Sequence, residues 1–89
     1  MKYVLIYESA ADVADQAPLY FAAHKARWAE FREAGTLLLI GPYSDRSGAL
    51  AVFTTRAAAE EFARTDPFVL HGLIREWSVK EWAEALGAP

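Results

Sequence analysis

Two ionisable side chains in this sequence sit where proton-transfer chemistry is possible. His24 falls in the middle of an apolar helical stripe, with Tyr20, Trp28 and Phe31 at i−4, i+4 and i+7. An imidazole there points with the aromatic rings toward a core instead of into solvent. Asp66 precedes Pro67-Phe68. A histidine and an aspartate form the base-and-orienter pair of proton-transfer enzymes: the imidazole takes a proton from substrate, while the carboxylate holds the proton on the other ring nitrogen and stabilises the imidazolium. Such a pair needs no nucleophile. Each residue also has a purely structural reading, His24 as a core histidine bonded to a carbonyl and Asp66 as the N-cap of the Pro67 turn. Forty-two residues separate them, so the fold alone decides whether they meet.

The elements that must bring them together follow from periodicity. Residues 2–8 mix β-branched, aromatic and leucine positions in a strand-length run. Ser9 to Gln16 is small, polar and without period, so it reads as a loop. Pro18 then suits the first turn of a helix running to Ala34 and ending at Gly35. Thr36 to Tyr43 and Gly48 to Thr54 are the second and third strands. Ser44, Asp45 and Arg46 lie in the turn between them, where they could select a ligand although a solvated turn is the better reading, with Ser44 carried as a candidate ligand contact. Thr54 or Thr55 caps a short alanine-rich helix from Arg56 to Arg64, and Asp66-Pro67 starts one further helical turn ending at Gly72. His71 beside it is expected to be structural or exposed. Leu73 to Trp82 alternates with period two and forms the fourth strand, followed by a small-residue tail at 83–89 expected to lie loose or against a neighbour.

The order β-α-β-β-α-β predicts an α+β, ferredoxin-like domain over 1–82, an antiparallel sheet with both helices on one face. The other face is left open. With 54% hydrophobic residues, three Trp, four Tyr and five Phe in 89 residues, the chain carries more large apolar surface than a thin two-layer domain hides, and a homodimer is the expected cover.

Composition excludes several classes. There is no cysteine, hence no disulfide framework and no thiolate metal site, which suits a reducing, cytoplasmic setting. Two histidines and scattered acids show no metal-ligand spacing, and isolated glycines form no phosphate loop, so neither metal nor nucleotide cofactor is expected. The opening apolar run is too short for a signal or membrane segment. A net charge of −3 with dispersed basic residues, and Ala-Leu-Ala-Val where stacking rings would be needed on strand three, argue against nucleic acid.

One combination goes further. An early tyrosine-ended strand, His24, the Glu33-Ala34-Gly35 turn, Gly41-Pro42, Gly48, Ala59 to Ala63 leading into Asp66-Pro67-Phe68, Gly72-Leu73 and Trp77 together resemble the YciI-like (YCII-related) domain family. The resemblance covers nearly the whole chain. It implies a dimeric α/β barrel with a site built on His24 and Asp66, and one kind of activity, removal of chloride from a chlorinated hydroxyhydroquinone without metal or organic cofactor. A small hydroxylated cyclic or aromatic compound is then the expected ligand, with Tyr7, Tyr20, Trp28 and Phe68 as walls of its pocket. The competing expectation is a non-catalytic dimeric binding module. Under the enzyme reading, Asp66→Ser should keep the cap and the melting temperature while abolishing turnover.

Overall fold

The computed structural model describes residues 1–87; residues 88–89, the end of the expected tail, lie outside them. The elements run β1 (Lys2–Ser9), α1 (Val13–Glu33), β2 (Leu37–Pro42), β3 (Gly48–Phe53), α2 (Arg56–Thr65), α3 (Pro67–Leu70) and β4 (Ile74–Trp82). The four strands form one sheet in the order β2-β3-β1-β4, every neighbouring pair antiparallel. The helices cover one face, as the ferredoxin-like order requires.

Alternation along β1 sorts the two faces. Leu5 and Tyr7 point inward, opposite Ala51 and Ala49 on one side and Val79 and Trp77 on the other. They join a core completed by Phe31, Leu37, Phe53 and Phe62. The rings of Phe31, Phe53 and Phe62 meet edge-on or tilted at 5.3 to 6.1 Å, an arrangement that ring quadrupoles favour over parallel stacking. Ala58, Ala59 and Ala63 are buried on α2, and their small size lets this short helix sit close to the sheet. Thr55 caps it, accepting from the Ala58 amide at 3.1 Å.

One boundary departs from the sequence expectation. Helix α1 begins at Val13 and not at Pro18, so Pro18 lies inside it and the supposed loop of residues 13–16 is helical. Proline is favoured at a helix start because its missing N–H is not needed there, but here the first bonds form earlier. The Asp12 carbonyl accepts from the amides of Asp15 and Gln16 at 3.1 and 3.2 Å. The added turn places Val13, Ala14 and Ala17 over the sheet, where they wall a cavity. Pro18 is accommodated inside the helix without ending it.

The start of β1 is tied to residues beyond β4. The Met1 amino group and Lys2 Nζ lie 2.9 and 2.8 Å from the two Glu84 carboxylate oxygens, and these hydrogen bonds hold the Glu84 carboxyl well below its ordinary range, at about 2. Among the described residues no helix is long and apolar enough to cross a membrane.

Candidate functional site

Among the described residues the buried polar or charged side chains are His24 and Asp66, with 6% and 0% of their surfaces exposed. They touch. His24 Nδ1 lies 2.6 Å from Asp66 Oδ1, while the Tyr7 hydroxyl donates to Oδ2 at 2.7 Å and the Phe68 amide to Oδ1 at 3.1 Å. The structural and the chemical readings of Asp66 therefore both hold: the carboxylate caps α3 and binds the imidazole at once. That removes the expectation that Asp66→Ser would leave the melting temperature unchanged, because serine can serve the Phe68 amide but not the other two donors.

The protonation pattern of the imidazole follows from its partners. Trp28 Nε1 lies 3.2 Å from His24 Nε2, and an indole nitrogen only donates. Nε2 is consequently the acceptor. The ring proton sits on Nδ1 and points at Asp66, the tautomer that leaves Nε2 as the basic atom. Phe68 stacks on the imidazole with centroids 3.9 Å apart and planes 6° from parallel, and Trp28 meets its edge at 5.3 Å. Ring orientation is thus set on every side. Burial first, then the Asp66 charge and hydrogen bond, push the Tyr7 phenol far above its ordinary value of 10.0, so it stays a donor wherever the fold persists.

Local structure explains how these residues arrive. Tyr7 and Leu5 share the inward face of β1; His24, Trp28 and Phe31 share the inward stripe of α1. Asp66 and Phe68 are held by α3, whose end is closed by the Gly72 amide bonding Val69 O at 3.2 Å and the Leu73 amide bonding Phe68 O at 2.8 Å. This crossed pair needs a left-handed residue, and Gly72 has φ 77°. Arg27 links α1 to the Asp66 segment through a hydrogen bond to Thr65 Oγ1.

A cavity of about 640 Å³ opens between the first half of α1 and the sheet. His24, Tyr7, Trp28 and Phe68 are part of its wall, with Asp66 buried behind them. Tyr20 is not in that wall; it stacks on His71 at 4.0 Å and packs α1 on α3. Ser44 is also outside it, in the exposed β2–β3 turn. One residue gains a part that the sequence reading did not give it, and one of the three turn residues that could have met a ligand is brought to the cavity. Tyr7 is more than a wall, and the signal was available, since an inward-facing tyrosine on a strand must bond its hydroxyl. Arg46, read as part of a solvated turn, lines the cavity. No group of three His, Cys, Asp or Glu side chains suited to a metal ion occurs among the described residues.

Fold and site together define a ferredoxin-like α+β domain with a buried Tyr-Asp-His chain under an apolar cavity. The chain matches the YCII-related domain over residues 1–83 and belongs to that family. Among solved structures it is similar to 5-chloro-2-hydroxyhydroquinone dehydrochlorinase from Burkholderia phenoliruptrix AC1100, determined in complex with 2,5-dihydroxybenzoquinone. The TM-score is 0.75 at 18% identity over 96% of each chain. It is also similar to Rv0793 from Mycobacterium tuberculosis, with TM-score 0.51 and 15% identity over 96% of this chain and 97% of that one. No curated protein matches the sequence.

Proposed function

We propose that the protein is a cofactor-independent enzyme that moves a proton on a small hydroxylated cyclic or aromatic compound, with His24 as general base and Asp66 as its orienting partner. The observation that carries this reading is the 2.6 Å contact between the imidazole and a fully buried carboxylate at the edge of an apolar cavity. A substrate hydroxyl entering the cavity displaces the Trp28 N–H from Nε2 and gives its proton to that nitrogen. Asp66 stabilises the resulting imidazolium. From the oxyanion so formed, a polyhydroxylated ring takes up a proton at its halogen-bearing carbon as the keto tautomer. Loss of the proton of a second ring hydroxyl then expels the halide from that carbon, for a net loss of a proton and a halide ion and a quinone as product. A similar fold acting as a dehydrochlorinase on a chlorinated hydroxyquinol supports this choice of compound.

The test is a screen of hydroxylated and chlorinated quinols by chloride release and quinone absorbance, repeated with His24→Gln. We expect kcat/KM to fall at least about 100-fold in the variant. Equal rates in the two proteins, or no compound consumed, would refute the assignment. The second reading, a binding module without turnover, is favoured by one observation: Trp28 occupies the only free lone pair of the imidazole, so every polar atom of the pair already has a partner within the chain. Saturable binding of quinols without turnover would establish it.

The working form in this proposal is a homodimer. The uncovered sheet face carries Val4, Ile6, Leu50 and Trp82, with Lys80 and Glu81, around a shallow and mostly apolar groove, and Leu39, Leu50 and Trp82 are exposed. A second sheet packed face to face is the cover that buries such a surface. Sedimentation equilibrium should return twice the chain mass, and Leu39→Glu combined with Leu50→Glu should return one chain mass. A monomeric native protein across the accessible concentration range would rule this out.

A further inference from the structure

The cavity wall has an unbalanced charge. Arg46 is its one Lys or Arg, and no Asp or Glu belongs to it, although the chain as a whole carries −3. The remaining wall is mostly apolar side chains, with the Asp66 carboxylate behind it taken up by Tyr7 and His24, and Arg46 itself is exposed to solvent. Arg46 closes the β2–β3 turn, its amide bonding Tyr43 O at 3.0 Å. Its backbone has φ 65°, the one positive value outside glycine among the described residues. A turn position of that kind ordinarily takes Gly or Asn. Holding an arginine there has a conformational cost that the turn itself does not require.

The neighbouring acid does not neutralise it. Asp45 accepts from the Ser47 amide at 2.9 Å and from the Ser47 hydroxyl at 2.7 Å, and those bonds, led by the hydroxyl, lower its carboxyl below the ordinary range. No carboxylate lies within ion-pair distance of the Arg46 guanidinium among the described residues. An unpaired, planar, five-donor cation therefore stands at the cavity wall, in a form suited to two parallel hydrogen bonds with an oxyanion.

We infer that Arg46 selects the substrate class: the cavity takes a ring compound bearing an anionic oxygen group, a carboxylate or an ionised ring hydroxyl, with the anion on Arg46 and the ring against the apolar wall. This rests on the proposed use of the cavity as the substrate site, but not on turnover. An anion held there also lies in the same cavity as His24, so it fixes which ring hydroxyl is offered to Nε2.

The test uses benzoate and its neutral counterpart benzamide, with binding followed by isothermal titration and by amide shifts of the full-length chain. Benzoate should bind about tenfold more tightly than benzamide, less so at high salt. Arg46→Gly should abolish the preference while the melting temperature holds or rises, because glycine relaxes the positive φ. Arg46→Lys should keep part of the preference. Arg32→Gln, at an exposed position on α1 outside the cavity wall, should keep all of it, which separates the effect of Arg46 from a general loss of positive charge. Because the readout is binding and not turnover, the result is independent of the catalytic reading. Equal binding of the two probes to the native chain, or an unchanged preference in Arg46→Gly, would overturn the inference.

Discussion

Asp66→Ala is expected to lower the free energy of unfolding by about 3 to 5 kcal/mol, in a domain of a size that commonly has only about 5 to 15 kcal/mol to lose. The reason is the number of donors it orphans. Tyr7 Oη, the Phe68 amide and His24 Nδ1 all converge on one carboxylate with no exposed surface, and each buried donor left without an acceptor costs about 1 to 3 kcal/mol. Asp66→Asn should be milder. Its amide oxygen still serves Phe68 and His24, and the Tyr7 hydroxyl can accept from the amide NH2. The asparagine variant should nevertheless lose activity heavily, by about 10²- to 10⁴-fold, because a neutral amide does not stabilise the imidazolium that forms. Urea unfolding followed by tryptophan fluorescence measures the first effect and turnover of a compound found in the quinol screen the second. A loss below about 1 kcal/mol in Asp66→Ala would mean that water reaches the site and replaces the carboxylate.

The second large effect comes from one methyl group. A Cβ on Gly48 would stand 2.0 Å from the Tyr7 carbonyl oxygen and 3.2 Å from a ring carbon of Tyr43. The first obstacle is backbone, so no side-chain rotation relieves it. In a compatible conformation, Gly→Ala would gain about 0.4 to 1 kcal/mol by restricting the unfolded chain. The overlap wins, because β1 and β3 must separate where Tyr7 pairs with Ala49 and Glu8 with Gly48. We expect Gly48→Ala to be destabilising by about 3 kcal/mol, the upper end of overpacking effects. It should also displace Tyr7 and hence its bond to Asp66, seen as a shifted His24 ring resonance in the variant. A stability equal to or above that of the native chain would show that the strands part without cost.

Both predictions concern residues whose side of the fold was legible and whose partners were not. The strand-length run through Leu5 and Tyr7, the i, i+4 spacing of His24 and Trp28, and the Asp66-Pro67 start of α3 are local patterns, and a one-dimensional chain displays them directly. From them came the element order, the inward direction of the histidine and the cap. The start of α1 was misplaced because a proline signals a helix start by local energetics, whereas here the Asp12 carbonyl opens the helix a turn earlier and the proline is carried inside it.

The sequence by itself placed a tyrosine in a buried strand, a histidine on the inward stripe of a helix and an aspartate at the cap of a helical turn, since residue type and period are local properties. Only the tertiary structure decided that they form one chain of bonds. Tyr7, His24 and Asp66 come from a strand and two helices far apart in the sequence, and their 2.6 and 2.7 Å contacts depend on how the helices settle on the sheet. It likewise placed Arg46, at a turn position with a positive φ, in the cavity wall. Local energetics leave such choices nearly balanced, and packing of the whole chain tips them.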